Sequence, residues 1–169
     1  MNKKVVLAFS GGLDTSFCVP YLKHEKHLEV HTVMVNTGGF SEEEAKAIEK
    51  RALQLGAITH TTVDATETYY RKGIRYLIFG NILKNNTYPL SVSSERVFQA
   101  LEVLKHVKKI GAGTVAHGCT GAGNDQVRFD IVFEILAPEV EIIAPIRELG
   151  LSRKEEIDYL QKHGFNFSW

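Results

Sequence analysis

Lys4-Val5-Val6-Leu7-Ala8-Phe9-Ser10-Gly11-Gly12-Leu13-Asp14-Thr15-Ser16 joins an apolar run to a glycine turn. The paired valines predict a strand over Lys4 to Phe9, Ser10-Gly11-Gly12 breaks it, and Leu13 to Lys23 has the composition to wind as a helix. A tight turn from strand into helix leaves the first helical N–H groups without partners and aims them at one point. Such a point favours an anion, phosphate above all. Gly11 and Gly12 can take positive φ and admit an anion close to the main chain, and the Ser10, Thr15 and Ser16 hydroxyls add donors. The spacing gives neither GxxxxGK[ST] nor GxGxxG, so this is neither a Walker loop nor the dinucleotide fingerprint. Asp14 alone would repel phosphate, and its place in the loop makes best sense with Mg2+ between them. A plain glycine turn, with Asp14 and the hydroxyls serving the helix start, is the alternative that these residues alone leave open.

Working outward, strand-like and helix-like periodicity alternate along the chain without repeats or a long linker. Val30 to Val35 predicts a second strand. Ser41 and Glu44 have capping-box spacing ahead of a helix with Ala45, Ile48, Ala52 and Leu55 on one face and Gly56 as its stop. Ile58 to Val63 predicts a third strand, Tyr69 to Leu83 and Val97 to Val107 two helices, and Asn85 to Pro89 a turn between them. Thr114 to His117 and Val140 to Ala144 complete five strands, and Ser152 with Glu155 caps a last helix through Ile157 and Leu160 to Gly164. Parallel strands need crossovers, so the expected fold is α/β: an open, mostly parallel five-stranded sheet with helices on both faces. Ligands of such sheets bind at the carboxyl ends of strands near a topological switch.

The fourth predicted strand runs into a second candidate loop, Gly118-Cys119-Thr120-Gly121-Ala122-Gly123-Asn124-Asp125-Gln126-Val127-Arg128. Arg128 can hold a carboxylate through two parallel bonds, Asp125 can bind an ammonium, and Thr120 and Asn124 can fix orientation, a set suited to a small zwitterion. An Asn-Asp helix cap beside a surface arginine is the alternative here.

Composition limits the partners. The 169 residues are 44% hydrophobic, enough for one core, and 20 basic residues balance 20 acidic ones, so no net charge draws the chain to nucleic acid or an anionic membrane. Cys18 and Cys119 are no disulfide framework, and no stretch reads as a signal peptide or membrane span, so a cytoplasmic location is expected. Cys18 is expected to pack within the first helix and Cys119 in its loop. Six histidines lack metal-site spacing, and His117 is expected to make an ordering hydrogen bond beside the second loop.

Ser10 to Ser16 after a first strand resembles the loop of the N-type ATP pyrophosphatases, the PP-loop group, which split ATP between the α and β phosphates. The stretch 117–129 is similar to the argininosuccinate synthase pattern His-Gly-x-Thr-Gly-x-Gly-Asn-Asp-Gln-Val-Arg-Phe. The likeness runs from Val5 to about Gly164 and includes Gly56-Ala57 and Leu136-Ala137-Pro138. It implies a Rossmann-like domain of the adenine nucleotide α-hydrolase type over residues 1–169, from a ligase that joins citrulline to aspartate with ATP and Mg2+ in arginine biosynthesis. Ala8, Phe9, Ser10, Gly11, Gly12, Asp14, Thr15 and Ser16 would then bind ATP and magnesium, with Val35 and Gly118 near the adenine and ribose. Thr120, Asn124 and Asp125 would hold aspartate, and Tyr88, Ser93, Arg96, Asn124 and Arg128 would meet citrulline. Asp14, Asp125 and Arg128 would stand closest to the chemistry, with Asp14 the magnesium ligand.

Three features depart from the family pattern: Ala122 where many members have Lys, Val92 where many have Thr, and Gly38-Gly39 where Gly-Gln is frequent. The family's second, synthetase domain and its oligomerisation helix have no counterpart here. The expectation is therefore a truncated ATP-binding part, with little activity alone, of a protein that is a homotetramer at full length. The aromatic end Phe165, Phe167 and Trp169 is expected to be exposed. The competing expectations are a tRNA-modifying enzyme on the same phosphate loop, disfavoured by zero net charge and the lack of CxxC, and a non-catalytic nucleotide-binding module.

Overall fold

The computed structural model describes residues 3–168. β1 (Lys4–Ala8) leads through the glycine turn into α1 (Leu13–His24), β2 (Glu29–Asn36) into α2 (Glu42–Gln54), and β3 (Thr59–Asp64) into α3 (Thr66–Tyr69). A π-helical turn (Tyr70–Ile74), α4 (Arg75–Phe79), the short strands β4 (Leu83–Lys84) and β5 (Tyr88–Pro89), and α5 (Ser91–Ile110) follow. The last portion is β6 (Thr114–His117), α6 (Asp125–Leu136), β7 (Glu141–Ile143), α7 (Pro145–Leu149) and α8 (Arg153–Lys162).

Five strands form one sheet in the order β3-β2-β1-β6-β7, and every pairing in it is parallel. Strand side chains alternate between faces. Val5 and Leu7 therefore join Phe17, Leu22, Leu55 and Leu160 on one side, and Val6 joins Val103, Val107 and Phe133 on the other. The first cluster is roofed by α1, α2 and α8, the second by α5 and α6. The crossover after β1 lies on one face and the helix after β6 on the other, although Ala8 and His117 are paired neighbours at the ends of those strands. The connections diverge there and leave a crevice at the carboxyl edge.

Four elements differ from the sequence expectation. The single helix expected over Tyr69 to Leu83 is broken into α3, the π turn and α4. Gly73 lies where a β-carbon would stand 3.1 Å from the Phe98 ring and 3.3 Å from Tyr69, and a wider turn accommodates that crowding. Leu83 then enters an antiparallel ribbon with Pro89, closed by Asn85 and Asn86 at φ 55° and 57°, a region asparagine tolerates. The helix expected over Val97 to Val107 begins at Ser91, because its polar first turns carry no apolar period to announce them. α7, opened by Pro145 and closed by Gly150, was too short to show periodicity.

The aromatic end is a correction. Gly164, at φ 86°, closes α8 with bonds from its N–H to the Gln161 carbonyl and from the Phe165 N–H to the Leu160 carbonyl, a Schellman arrangement. That reversal folds Phe165 and Phe167 back against the first apolar cluster, partly buried, and the Arg51 guanidinium lies 5.4 Å from the Phe167 ring centre. Trp169 lies outside the described residues. Among the described residues, no helix is long and apolar enough to cross a membrane.

Candidate functional site

A cavity of about 800 Å³ opens at the carboxyl edge where β1 and β6 adjoin, a size suited to a small-molecule ligand. Asp14 and Asp125 both line it. So do Ala8, Phe9, Ser10, Gly12 and Thr15 from the first loop, Val35 from β2, Arg96 from α5, and Gly118, Thr120, Asn124 and Arg128 from the second loop and α6. Gly11, Ser16, Tyr88 and Ser93 are not on its wall. Tyr88 sits exposed on the ribbon, Ser93 supports Arg128 from behind, and Gly11 and Ser16 belong to the back of the glycine turn.

The glycine turn is open at its helix. Gly12 is the N-cap of α1, with no side-chain cap bond, whereas Ser41 of α2 and Ser152 of α8 each complete a full capping box. The first-turn amides of α1 thus keep their capacity for an anion where the other two helix starts have spent it. Only Gly11 uses the left-handed region, at φ 77°; Gly12 is at φ −73°. Gly11 also packs tightly, since a β-carbon there would stand 2.9 Å from Ile48 Cγ1, and Arg51 donates to its carbonyl at 2.6 Å. At the mouth, Ser10 Oγ and Thr15 Oγ1 lie 3.3 Å apart. Behind them Ser16 is fully buried, and its hydroxyl has no hydrogen-bond partner among the described residues. An uncapped helix start at the cavity fits an oxygen-rich anion.

Beneath this loop lies a carboxyl that the sequence reading missed. Glu156 of α8 is 2% exposed, and its Oε2 has no hydrogen-bond partner among the described residues. Burial, and then the Asp14 charge, push its carboxyl up to about 7, with Arg153 opposing. Arg153 also lines the cavity, and its side chain makes no hydrogen bond or ion pair among the described residues. The available signal was the four-residue spacing from Glu156 to the buried Leu160, which puts an acid on the core face of α8.

The second loop is held by a chain of polar contacts. His117 is 1% exposed; its Nδ1 accepts from the Cys119 amide at 3.2 Å, so its Nε2 carries the proton and donates to Asp130 at 2.9 Å. Burial lowers its pKa despite Asp130, so the ring is a neutral ordering group. Arg147 of α7 binds Asp130 and reaches Gln126 at 3.2 Å, and Gln126 donates to the carbonyls of Gly121 and Gly123. Asp130, Arg147 and Gln126 were not anticipated, because nothing in their spacing reveals that α7 packs beside α6.

Asp125 heads α6 and takes Arg96 at 3.0 Å on one oxygen and Arg128 at 2.5 Å on the other. Burial opposes its ionisation, but the bonds and charges of the two arginines outweigh burial and hold the carboxyl below the usual range. Arg128 is held in turn by Ser93 Oγ at 3.0 Å. Both cysteines are free thiols, Cys18 buried in α1 and Cys119 on the cavity wall. Burial, followed by the Asp125 charge, pushes Cys119 up to about 11, which leaves it protonated and unreactive at neutral pH.

Residues 4–166 match the family model for the arginosuccinate synthase N-terminal HUP domain. The chain belongs to this family. Argininosuccinate synthase of Xylella fastidiosa is 46% identical over 168 residues, covering 97% of this chain and 41% of the relative. Those of Methanocaldococcus jannaschii and Pyrobaculum aerophilum are 44% and 42% identical, covering 97% and 95% of this chain and 41% and 40% of theirs. The chain therefore spans about two fifths of the length of these relatives. The family's HUP domain is Rossmann-like, as the parallel sheet is.

Proposed function

We propose that this chain is the ATP-binding part of an argininosuccinate synthase, in which citrulline, aspartate and ATP give argininosuccinate, AMP and pyrophosphate. One observation carries the proposal: a single cavity has an uncapped glycine turn on one wall and Asp125 with two arginines on the other. ATP, when bound, supplies an α-phosphorus with pyrophosphate as its leaving group. The α1 amides and the Ser10 and Thr15 hydroxyls receive its phosphates, with Gly11 shaping the turn and Ser16 packed behind it, and Ala8, Phe9, Val35 and Gly118 flank the nucleoside. Asp14 is the residue that fits Mg2+: a single cavity-facing carboxylate is the usual protein share of a magnesium site completed by phosphate and water.

On the other wall the charges suit a trade of partners. Arg96 and Arg128, now committed to Asp125, pass to the citrulline carboxylate, and Asp125 passes to the aspartate ammonium, with Thr120 and Asn124 fixing orientation. Ser93 holds Arg128, and Tyr88 reaches citrulline from the ribbon. Rate then comes from positioning and from the cationic wall near the developing negative charge. The chain spans about two fifths of the relatives' length, and on this reading it turns over slowly by itself, while a protein of the relatives' length is cytoplasmic and homotetrameric.

Titration calorimetry with ATP, citrulline and aspartate, beside an assay of pyrophosphate release, tests this. The expected result is ATP binding, a separate response to the amino acids, and little turnover. A chain that binds ATP but ignores both amino acids would be a nucleotide module of another kind.

A further inference from the structure

The loop after β2 carries an aromatic ring that neither of the loops already described uses. Phe40 lines the cavity and is 36% exposed, and it is followed at once by the acidic start of α2, Glu42-Glu43-Glu44. Asn36 holds it on both sides: its Oδ1 accepts from the amides of Gly38 at 2.9 Å and Phe40 at 3.3 Å, and its Nδ2 donates to the Phe40 carbonyl at 2.8 Å. Thr37 ties the same loop to α5 by donating to Glu95 at 2.7 Å. Beside the ring, Gly39 also lines the cavity, and a β-carbon built there would meet nothing within 4 Å. The main chain that carries this large apolar ring is thus pinned at the cavity wall.

The sheet order says which part of a ligand comes here. β2 adjoins β1 on the side away from β6, so the β2 loop, the glycine turn and the Asp125 wall follow one another across the edge at strand spacings of about 5 Å. With phosphates at the middle position and amino acids at the β6 end, the remaining moiety lies toward β2. The wall there is apolar, from Val33, Met34 and Val35, and the three neighbouring glutamates disfavour a phosphate. An aromatic face over an apolar floor suits the flat face of a base.

We propose that Phe40 determines base recognition by stacking on the purine ring, with Asn36 as the positioning residue that holds it; this rests on the ATP reading above. The test is calorimetry with ATP, AMP and inorganic pyrophosphate on the wild-type chain and on Phe40→Ala, Phe40→Leu, Phe40→Trp and Asn36→Ala, each checked for an unchanged thermal midpoint. Phe40→Ala should weaken ATP and AMP by about tenfold, a typical loss on removing one base stack, and leave pyrophosphate unchanged. Asn36→Ala should show the same signature, and Phe40→Trp should restore affinity with an indole emission, above the Trp169 background, that AMP quenches and pyrophosphate does not. If Phe40→Ala fails to fold, Phe40→Leu keeps the bulk without the π-face and reads the same difference. Equal losses for AMP and pyrophosphate, or no loss for AMP, overturn the role of Phe40 while wild-type ATP binding stands. A wild-type chain that binds no ATP sinks the nucleotide reading itself.

Discussion

Gly118 lies against the first turn of α1, where a β-carbon built on it would stand 3.1 Å from the Thr15 amide nitrogen and 3.2 Å from the Asp14 carbonyl carbon. The two loops therefore touch through main chain, and a β-carbon at 118 would be crowded enough that its neighbours must give way. Gly118→Ala should force them apart by a few tenths of an ångström and Gly118→Val by more. Nucleotide affinity should fall in that order, by on the order of tenfold or more for valine, about 1.4 kcal/mol. Calorimetry with ATP reads it, and equal affinities for all three residues would show that the contact is slack.

Asp125 stands between Arg96 and Arg128, bonded to both. Asp125→Ala should abolish the aspartate response while ATP affinity stays within about twofold, because the phosphate loop keeps its own anchors. The low carboxyl pKa also has a stability consequence. Its contribution is present above the unfolded value, near 3.8, and disappears as pH falls through the depressed folded value. The stability difference between wild type and Asp125→Asn should accordingly shrink in strong acid, as followed by denaturant titration from pH 7 downward.

Glu156 gives the opposite sign. Its carboxyl rises from 4.5 to about 7 on folding, so its favourable contribution is complete below pH 4.5 and is lost as pH climbs through 7. Glu156→Gln removes the proton uptake and keeps the size of the side chain. Its thermal midpoint should match wild type near pH 4 and exceed it near pH 8. A constant offset at both pH values would mean that Glu156 does not titrate on folding.

Asp130 accepts from the buried His117 and from Arg147. Asp130→Ala leaves the His117 Nε2–H buried without an acceptor, at a cost of about 1–3 kcal/mol. It also frees Arg147 from the chain of bonds that pins the carbonyls of Gly121 and Gly123 through Gln126. Both unfolding free energy and aspartate affinity should fall, and denaturant titration beside calorimetry measures the two. Loss of stability with intact affinity would show that the loop holds its shape without this support.

Both strand-end turns were legible because each is written in one contiguous stretch. Paired valines, two glycines and a Leu-Asp-Thr-Ser helix start specify the first turn locally, and the string from His117 to Phe129 does the same for the second. The capping boxes at Ser41 and Ser152 were visible for that reason too, since both partners lie three residues apart. The break at the π turn was not, because the crowding at Gly73 comes from Phe98, far along the chain.

The sequence by itself determined an alternating α/β chain with five strands, where its two polar loops begin, and which residues they offer. Only the tertiary structure decided that β6 inserts beside β1, bringing those loops onto one cavity, and that α8 slides Glu156 under Asp14 while the β2 loop swings Phe40 to the opposite end. The division has a physical cause. Turns and caps are set by neighbours a few residues apart, whereas the order of strands and the facing of helices follow from burying two apolar faces at once, to which residues throughout the chain contribute.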